Sequence, residues 1–480
     1  MEKKFDYSAY FSGIEKKILK NLKTDKVFLR TDNDHTYESL NKFLNALQNK
    51  LQKINYDAII VICDKSFETY SSHIFSFLSA KPWVPLSDKI SKNDLNDILK
   101  NFDNPIVLHN NFNKYNFIFK YKNLDLLDLE YKENSKNSYK IKINQTGPKA
   151  IFFTSGSSGK PKGVKLSLQN ILVNIANISK VLRLEKNDNF ADFHEVSFVI
   201  SIPILIFCFI NGKTLTPGKL SDILNFENFI IKNKVNVLIT VPTLYKTLIK
   251  TIKKKCNMRY LITCGEPIDK NLIVDIKKKI SYERLFNFYG STEVAPWILY
   301  CDLEKILKNN LFQDSYAPAG KPLKYVKLGF CEKRNTLLVN GPQVFESYFG
   351  KNFLKNKKKN GYFLYDTGDI FSKSKNYYFC KGRIDHQFKR FGYRLNILSL
   401  ESNYKKILKI KILYVVFLEE KLKVFCITEK KIELNEKENL LKSLPKYKHP
   451  DYFLELDKFS STTSGKISRT DLKKICEKNI

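Results

Sequence analysis

Apolar residues in this chain fall into short blocks of two kinds. Residues 58–62, 237–241 and 260–263 are near-continuous apolar runs rich in Val and Ile, the pattern of strands buried on both faces. Residues 167–182 instead place Leu168, Ile171, Leu172, Ile175, Ile178 and Leu182 at helical spacing, with Ser167 positioned as a cap. Runs and helical stretches alternate through most of the chain, and that alternation predicts an α/β fold with largely parallel sheets. Past about Gly382 the blocks become shorter and more mixed. The 480 residues also exceed the ~250–300 that one core holds. We therefore expect a large N-terminal domain of α/β subdomains with mostly parallel sheets, residues 1–382, and a small C-terminal α+β domain, residues 383–480.

The longest apolar stretch, residues 196–210, is interrupted by Ser201 and Pro203. It falls short of the ~20 residues of a spanning helix and reads as buried core, so no membrane insertion is expected. Residues 1–19 are charged throughout, with no apolar core of a secretory leader. The nine cysteines form no CxxC pair, which points to neither a zinc site nor a disulfide framework. Free thiols of this kind fit a reducing compartment, and a soluble cytoplasmic protein is the expectation.

The net charge of +33 fits three readings. Such charge neutralises phosphates in a nucleic-acid binder. It steers an acidic protein partner. It also follows from compositional lysine enrichment on solvated faces. The lysines lie in short dispersed runs, such as 253–255, 277–279 and 357–359, without a basic arm or a basic–aromatic stripe. That dispersal counts against nucleic acid.

One polar segment interrupts the apolar pattern with recognisable chemistry. The run Ile151, Phe152, Phe153 feeds Thr154, Ser155, Gly156, Ser157, Ser158, Gly159 and Lys160, followed by Pro161, Lys162 and Gly163. Glycines let backbone approach an anion closely. Successive N–H groups and hydroxyls donate to phosphate oxygens, and Lys160 adds a cation. The GxxxxGK[ST] spacing of a Walker loop is absent. A Ser/Gly-rich surface turn is the bland alternative, and the Pro-Lys-Gly continuation counts against it.

The segment TSGSSGKPKGV resembles the signature loop of the adenylate-forming (AMP-binding) superfamily, and further segments agree in that family's order. Thr36 to Asn41 and Lys81 to Leu86 resemble its two early structural motifs, in the form of amino-acid-activating members. Gly265-Glu266-Pro267 resembles the adenine-contacting segment. Asn287-Phe288-Tyr289-Gly290-Ser291-Thr292-Glu293 resembles the YGxTE motif, and Tyr365 to Asp369 the TGD motif. Gly382 to Arg394 resembles the hinge-region motif. Leu444 to Pro450 and Ser464-Gly465-Lys466-Ile467 close the chain in the family's manner. Each motif is weak alone; their joint order and spacing over essentially the whole chain is specific. The form is similar to that of stand-alone amino-acid adenylation enzymes and D-alanine:carrier protein ligases.

The resemblance implies an AMP-forming acid–thiol ligase that uses ATP and Mg2+. A carboxylate is a poor electrophile; its attack on the α-phosphate, with loss of pyrophosphate, makes a mixed anhydride that a thiol opens. Charge concentrates on phosphate and carboxylate oxygens, so preorganised cations and donors are the main requirement. By resemblance, Lys466 bridges the carboxylate and the α-phosphate, Thr292 touches that phosphate, and Glu293 holds the metal, a hard cation that prefers carboxylate oxygen. Asp369 accepts from the ribose hydroxyls and Arg383 lies near ribose and phosphate. Asp385 is the hinge of a small domain that moves between the two half-reactions. One departure concerns the last motif: Ser460 and Ser461 stand before Thr462 where the family has Pro and a basic residue.

Substrate positions follow in the same way: Phe198, Val199, Ile200, Pro203, Thr240, Ile262, Cys264, Phe288, Pro296 and Trp297. Amino-acid-activating members carry an Asp after Phe in a segment similar to SFDxS; here Val199 occupies that place, with Gly212 in register. A buried ammonium lacking a carboxylate is costly. The apolar lining suits a hydroxy, short acyl or aryl acid, or an amino acid held by other groups. His194 and Glu195, just upstream, read either as a polar anchor or as a satisfied strand-edge pair.

The expected partners are thus a small carboxylic acid and a thiol acceptor: an acidic carrier protein with phosphopantetheine, which the positive charge and early motifs favour, or CoA. No carrier domain fits after Lys466, so the carrier is a separate protein. An acyl- or aryl-CoA ligase is the enzymatic alternative, and a non-catalytic adenylate-binding scaffold is the alternative of another class.

Overall fold

A computed structural model describes residues 5–110, 121–130, 139–141, 143, 147–155, 161–313, 315–350, 355–384, 387–418, 421–457, 459 and 469–480. The chain divides into two compact units, Met1–Phe153 with Lys162–Lys381, and Thr154–Pro161 with Gly382–Ile480.

Two large sheets build the first unit. The nine-stranded sheet runs in the order Lys321–Pro322, Trp297–Asp302, Ile280–Gly290, Cys256–Cys264, Val237–Thr240, Asn189–Asp192, Thr214–Pro217, Val27–Arg30, Asp34–Thr36. Its six strands from Ile280–Gly290 to Val27–Arg30 are parallel, and the flanking strands pair antiparallel. The six-stranded sheet runs Lys122–Asp125, Pro105–His109, Ala58–Cys63, Trp83–Ser87, Pro148–Ser155, Pro161–Ser167, with its first four pairings parallel. A third sheet, built on Lys327–Phe330, Thr336–Asn340 and Tyr362–Ser374, is antiparallel. The α/β reading with mostly parallel sheets therefore holds.

Helices form where the pattern and the caps agree. The helix Leu168–Val181 starts at Ser167, whose hydroxyl accepts from Asn170 N while Asn170 Oδ1 accepts from Ser167 N at 2.8 Å. This reciprocal cap satisfies two donors that a helix start leaves open. Thr36 caps Tyr37–Leu51 from one side only, accepting from Ser39 N at 3.0 Å. Tyr37, fully buried, donates to the carbonyls of Cys208 and Lys213, each at 3.0 Å. That bond ties the first structural motif to the end of the helix Ser201–Ile210. Every residue of Ser201–Ile210 is buried, which accounts for the long apolar stretch. Among the described residues no helix is long and apolar enough to cross a membrane. All nine cysteines are free thiols.

The six-stranded sheet buries one lysine. Lys149, 2% exposed, donates its ammonium to the Ser79 carbonyl, and burial lowers its pKa to about 7. In the unfolded chain the same group titrates near ~10.4. Between those values the unfolded state holds more protons, so stability climbs with pH. Lys149→Met is expected to stabilise the protein by on the order of 2 kcal/mol at pH 7 and to flatten the climb between pH 7 and 10; denaturant unfolding across that range measures both.

The second unit holds the antiparallel hairpin Gln387–Arg390 and Tyr393–Asn396, and the sheet Leu413–Leu418, Lys423–Thr428, Tyr452–Glu455. Helices Ile397–Leu408, Leu434–Ser443 and Arg469–Lys478 complete it. Arg390, nearly buried, pairs with Asp451 at 2.6 Å and donates to the His449 carbonyl. The Tyr393 ring stacks on Tyr447 with centroids 3.6 Å apart. These contacts fasten the segment around Leu444–Pro450 onto the hairpin of the hinge-region motif.

Candidate active site

In an open parallel sheet a ligand crevice forms at the carboxyl ends of the strands, where the strand order reverses. Here the chain leaves Asn189–Asp192 for its neighbour Thr214–Pro217 on one side and later returns to Val237–Thr240 on the other. The reversal therefore lies at Asp192 and Thr240.

Side chains alternate along a strand, so register decides what faces the crevice. Asp192, Ile239, Ile262 and Phe286 stand side by side, and Cys264 beside Phe288. Ile262, Cys264, Phe288, Val199 and Trp297 share one buried cluster, with Ile200 packed against it. Phe288 and Trp297 have ring centroids 5.2 Å apart. A methyl placed on Gly265, whose φ is +82°, lies 3.4 Å from Val241 and 3.9 Å from Ile200. Pro203 is buried within Ser201–Ile210 and Pro296 is buried beside Trp297, while Phe198 is half-buried. Thr240 is the exception: in register with Thr263 and Asn287, it alternates onto the opposite face, buried, its hydroxyl without a hydrogen bond among the described residues.

The turn after Asp192 is closed by short-range bonds. Phe198 N and Ser201 Oγ both donate to the Glu195 carbonyl at 3.0 Å, which closes the turn that carries Val199 and Ile200. His194 Nδ1 meets Asp192 Oδ1 at 2.7 Å, and the same oxygen accepts from His194 N at 2.9 Å. Burial alone would keep the imidazole neutral; the charge and hydrogen bond of Asp192 outweigh it and raise the His194 pKa well above its ordinary range. Lys65 donates to the carbonyls of Phe193 and Gly218; burial lowers its pKa against the pull of Asp192. Glu195 is engaged by Lys89 and by Ser87.

A second group of polar residues lies on Ile280–Gly290 and Tyr362–Ser374. The Tyr289 hydroxyl donates to Asp369 Oδ2. Gly368 adopts φ +71°, its N–H bonded to Asp366 at 3.0 Å, while Asp369 N donates to Thr367 Oγ1 at 3.1 Å. This turn presents a nearly buried Asp369 carboxylate. Asn287 donates to the Pro318 carbonyl at 3.0 Å. Glu266, nearly buried, accepts from Thr243 N at 3.0 Å and from its hydroxyl; Pro267 is exposed. Thr292 and Glu293 occupy the short turn Thr292–Val294. Glu293 is buried and accepts from the Tyr348 hydroxyl at 3.1 Å. Tyr348 is held by the strand that follows the polar loop, through the Val164 bridge and Phe349 N to the Gly163 carbonyl at 2.6 Å. Lys162 lies 5.8 Å from its ring centroid.

Thr154 and the backbone of Ser155 end the strand Pro148–Ser155; Gly156, Ser157, Ser158, Gly159 and Lys160 lie outside the described residues. Arg383 ends the strand Tyr377–Arg383 in the second unit. Asp385 and Lys466 also lie outside the described residues. Sequence reasoning passed over Asp192, Lys65 and Tyr348. Asp192 carried one signal, its place two residues before His194; the others carried none.

The chain matches the AMP-binding enzyme family over residues 18–349. It is 24% identical over 476 residues to bacitracin synthase 3 of Bacillus licheniformis, covering 91% of this chain but only 7% of that protein's length. It is 25% identical over 356 residues to D-alanine--D-alanyl carrier protein ligase of Bacillus licheniformis, covering 67% of this chain and 70% of the relative. In fold it is similar to the Vibrio cholerae adenylation domain AlmE in complex with glycyl-adenosine-5'-phosphate, with a TM-score of 0.80 at 17% identity over 100% and 99% of the two chains. A double mutant of o-succinylbenzoate CoA synthetase from Bacillus subtilis superposes with a TM-score of 0.78 at 19% identity over 96% and 98%.

Proposed function

Because this chain belongs to the AMP-binding enzyme family, we propose that it activates a small carboxylic acid with ATP, releasing pyrophosphate, and passes the acyl group to the phosphopantetheine thiol of a separate carrier protein. The observation that carries this reading is the Tyr289–Asp369 hydrogen bond beside the buried Glu293 turn, which gathers two of the family-like motifs at one place. The similarity to a carrier protein ligase and the positive charge support a carrier over CoA; the fold shared with a CoA synthetase keeps CoA as the second reading. A cytoplasmic location suits all nine thiols being free.

The residues fit the nucleotide and its metal. Mg2+ binds through one or two carboxylates plus substrate phosphates, so the single buried Glu293 suffices, and no three-ligand cluster occurs among the described residues. Bound Mg2+ neutralises developing phosphate charge. Asp369 accepts from ribose hydroxyls, oriented by Tyr289. The Gly265–Pro267 segment lies along the adenine, held by the bond between Glu266 and Thr243. Thr292 donates to the α-phosphate, the Gly156–Lys160 loop holds the outer phosphates, and Arg383 assists at ribose. Lys466 brings the carboxylate and α-phosphate together, and Asp385 is the pivot that removes it before thiol transfer. The cluster of Ile262, Cys264, Phe288 and Trp297 excludes water from the acid.

Tyr289→Phe removes the hydroxyl that fixes Asp369. The KM for ATP is expected to rise roughly three- to tenfold, the range of one hydrogen bond, with a smaller effect on kcat, measured by pyrophosphate exchange. The reading as a whole is tested by acid-dependent ATP–pyrophosphate exchange over amino, hydroxy, fatty and aryl acids, followed by acyl transfer to holo-carrier protein against CoA. Absence of exchange with every acid would remove it.

A further inference from the structure

We propose that Tyr348 is a positioning residue for the Glu293 carboxylate, and that it couples the hold on the metal to the hold on the nucleotide's phosphates. This rests on the reading that Glu293 takes Mg2+ beside bound ATP, and it adds a residue that acts through Glu293.

Three observations carry it. First, residues 345–348 grip the Thr292–Val294 turn twice. Phe345 N donates to the Glu293 backbone carbonyl at 3.0 Å, and the Tyr348 hydroxyl donates to Glu293 Oε1 at 3.1 Å. Glu293 is 1% exposed, so this charge-assisted bond forms out of water, where it is stronger. Mg2+ demands near-ideal octahedral geometry, and the direction of its carboxylate ligand therefore matters. A carboxylate has about four lone-pair sites; a bond at Oε1 orients the group without exhausting its capacity for a cation.

Second, the phenol ring is itself held. Phe345 meets it edge-on, with centroids 4.9 Å apart and planes at 70°. Third, the same segment is joined to the strand Pro161–Ser167, which the chain enters directly from the Gly156–Lys160 loop. Tyr348 bridges Val164, Phe349 N donates to the Gly163 carbonyl at 2.6 Å, and Lys165 N donates to the Ser347 carbonyl at 3.4 Å. A methyl on Gly163 would lie 2.9 Å from Ile151 and 3.0 Å from Phe349, so this pairing is tightly packed. Phosphates that order the loop therefore steady the tyrosine. A metal on Glu293 steadies the loop in return, because coupling between two binding events is reciprocal.

The test measures the dissociation constant of ATP by calorimetric titration, once in EDTA and once in excess Mg2+. The ratio of the two is the gain that the metal gives. It is read in the unaltered protein, Tyr348→Phe, Glu293→Gln and the double variant, with melting temperature reporting the fold. Tyr348→Phe keeps the ring and the backbone bridge and removes only the donor. The gain is expected to fall by about tenfold, the lower end of what losing the partner of a metal ligand costs, while metal-free ATP binding changes less than about twofold. In the Glu293→Gln background Tyr348→Phe should change the gain no further. A tyrosine that only held its segment in place would weaken ATP with and without metal alike; an unchanged gain of that kind overturns the proposal. A gain kept in Tyr348→Phe but lost in Glu293→Gln removes the positioning role and leaves the reading of Glu293 standing. No gain in the unaltered protein, or a gain that survives Glu293→Gln, removes the reading of Glu293 and the positioning role with it. Tyr348→Leu, which also lacks the donor, is read in the same way should Tyr348→Phe not fold. Failure of both to fold would make Tyr348 a structural residue and overturn the proposal as well.

Discussion

Lys466→Ala is expected to cut acid-dependent ATP–pyrophosphate exchange by roughly 10²–10³-fold while leaving ATP binding largely in place. The reasoning is electrostatic. Two anions, a carboxylate and the α-phosphate, must meet, and negative charge grows on the phosphate oxygens as they do. A cation held at that point acts on the transition state more than on either bound partner, and losing one preorganised donor of this kind costs about 10²–10³ in kcat. In the proposed arrangement ATP would keep its contacts with the Gly156–Lys160 loop, Asp369 and the Gly265–Pro267 segment, so its affinity is expected to change little. Exchange kinetics with a parallel ATP titration distinguish the two quantities. Exchange at the unaltered rate would show that Lys466, which lies among 82 Lys and Arg residues, has been given the wrong role.

Gly290→Ala is expected to be among the most damaging conservative changes in the first unit. A Cβ at that position would lie 1.8 Å from the Pro296 carbonyl oxygen, 2.9 Å from its carbon and 3.0 Å from Trp297 Cα. All three are backbone atoms, so no rotamer relieves the overlap. The pairing of Gly290 with Trp297, where the register between the two strands shifts, has to part. Overpacking in a rigid surrounding costs ~1–3 kcal/mol or more, and at ~2–4 °C per kcal/mol for a domain of this size the melting temperature should fall by about 5–10 °C. Activity should fall further than stability, because the same backbone carries Tyr289 on one side and Glu293 on the other. Gly13→Ala is the control: nothing lies within 4 Å of its added methyl, it sits in the helix Tyr7–Asn21, and a gain of up to ~1 kcal/mol is expected. Equal melting temperatures for the two variants would contradict the packing argument.

What could be read from the sequence were features whose causes are local. The cap and period of Leu168–Val181 depend on bonds between Ser167 and Asn170, three positions apart. The buried strands depend on which few consecutive residues are apolar. The family-like motifs are equally short, so the Thr292–Glu293 turn and the Asp369 turn could be named before either was seen folded.

Distance along the chain hid the rest. Asp192 and Lys65 are separated by more than a hundred positions, as Glu293 and Tyr348 are by 55. They meet because of strand order, which hydrophobic periodicity does not encode. Register likewise decided that Ile262, Cys264 and Phe288 share a face while Thr240 alternates away from them, since a single-residue offset reverses every side chain. His194 shows the division in one residue. Its sequence left an anchor and a satisfied strand-edge pair as equal readings. Burial beside Asp192 and Cys264 comes only from tertiary packing, because that packing removes water and chooses which polar groups meet.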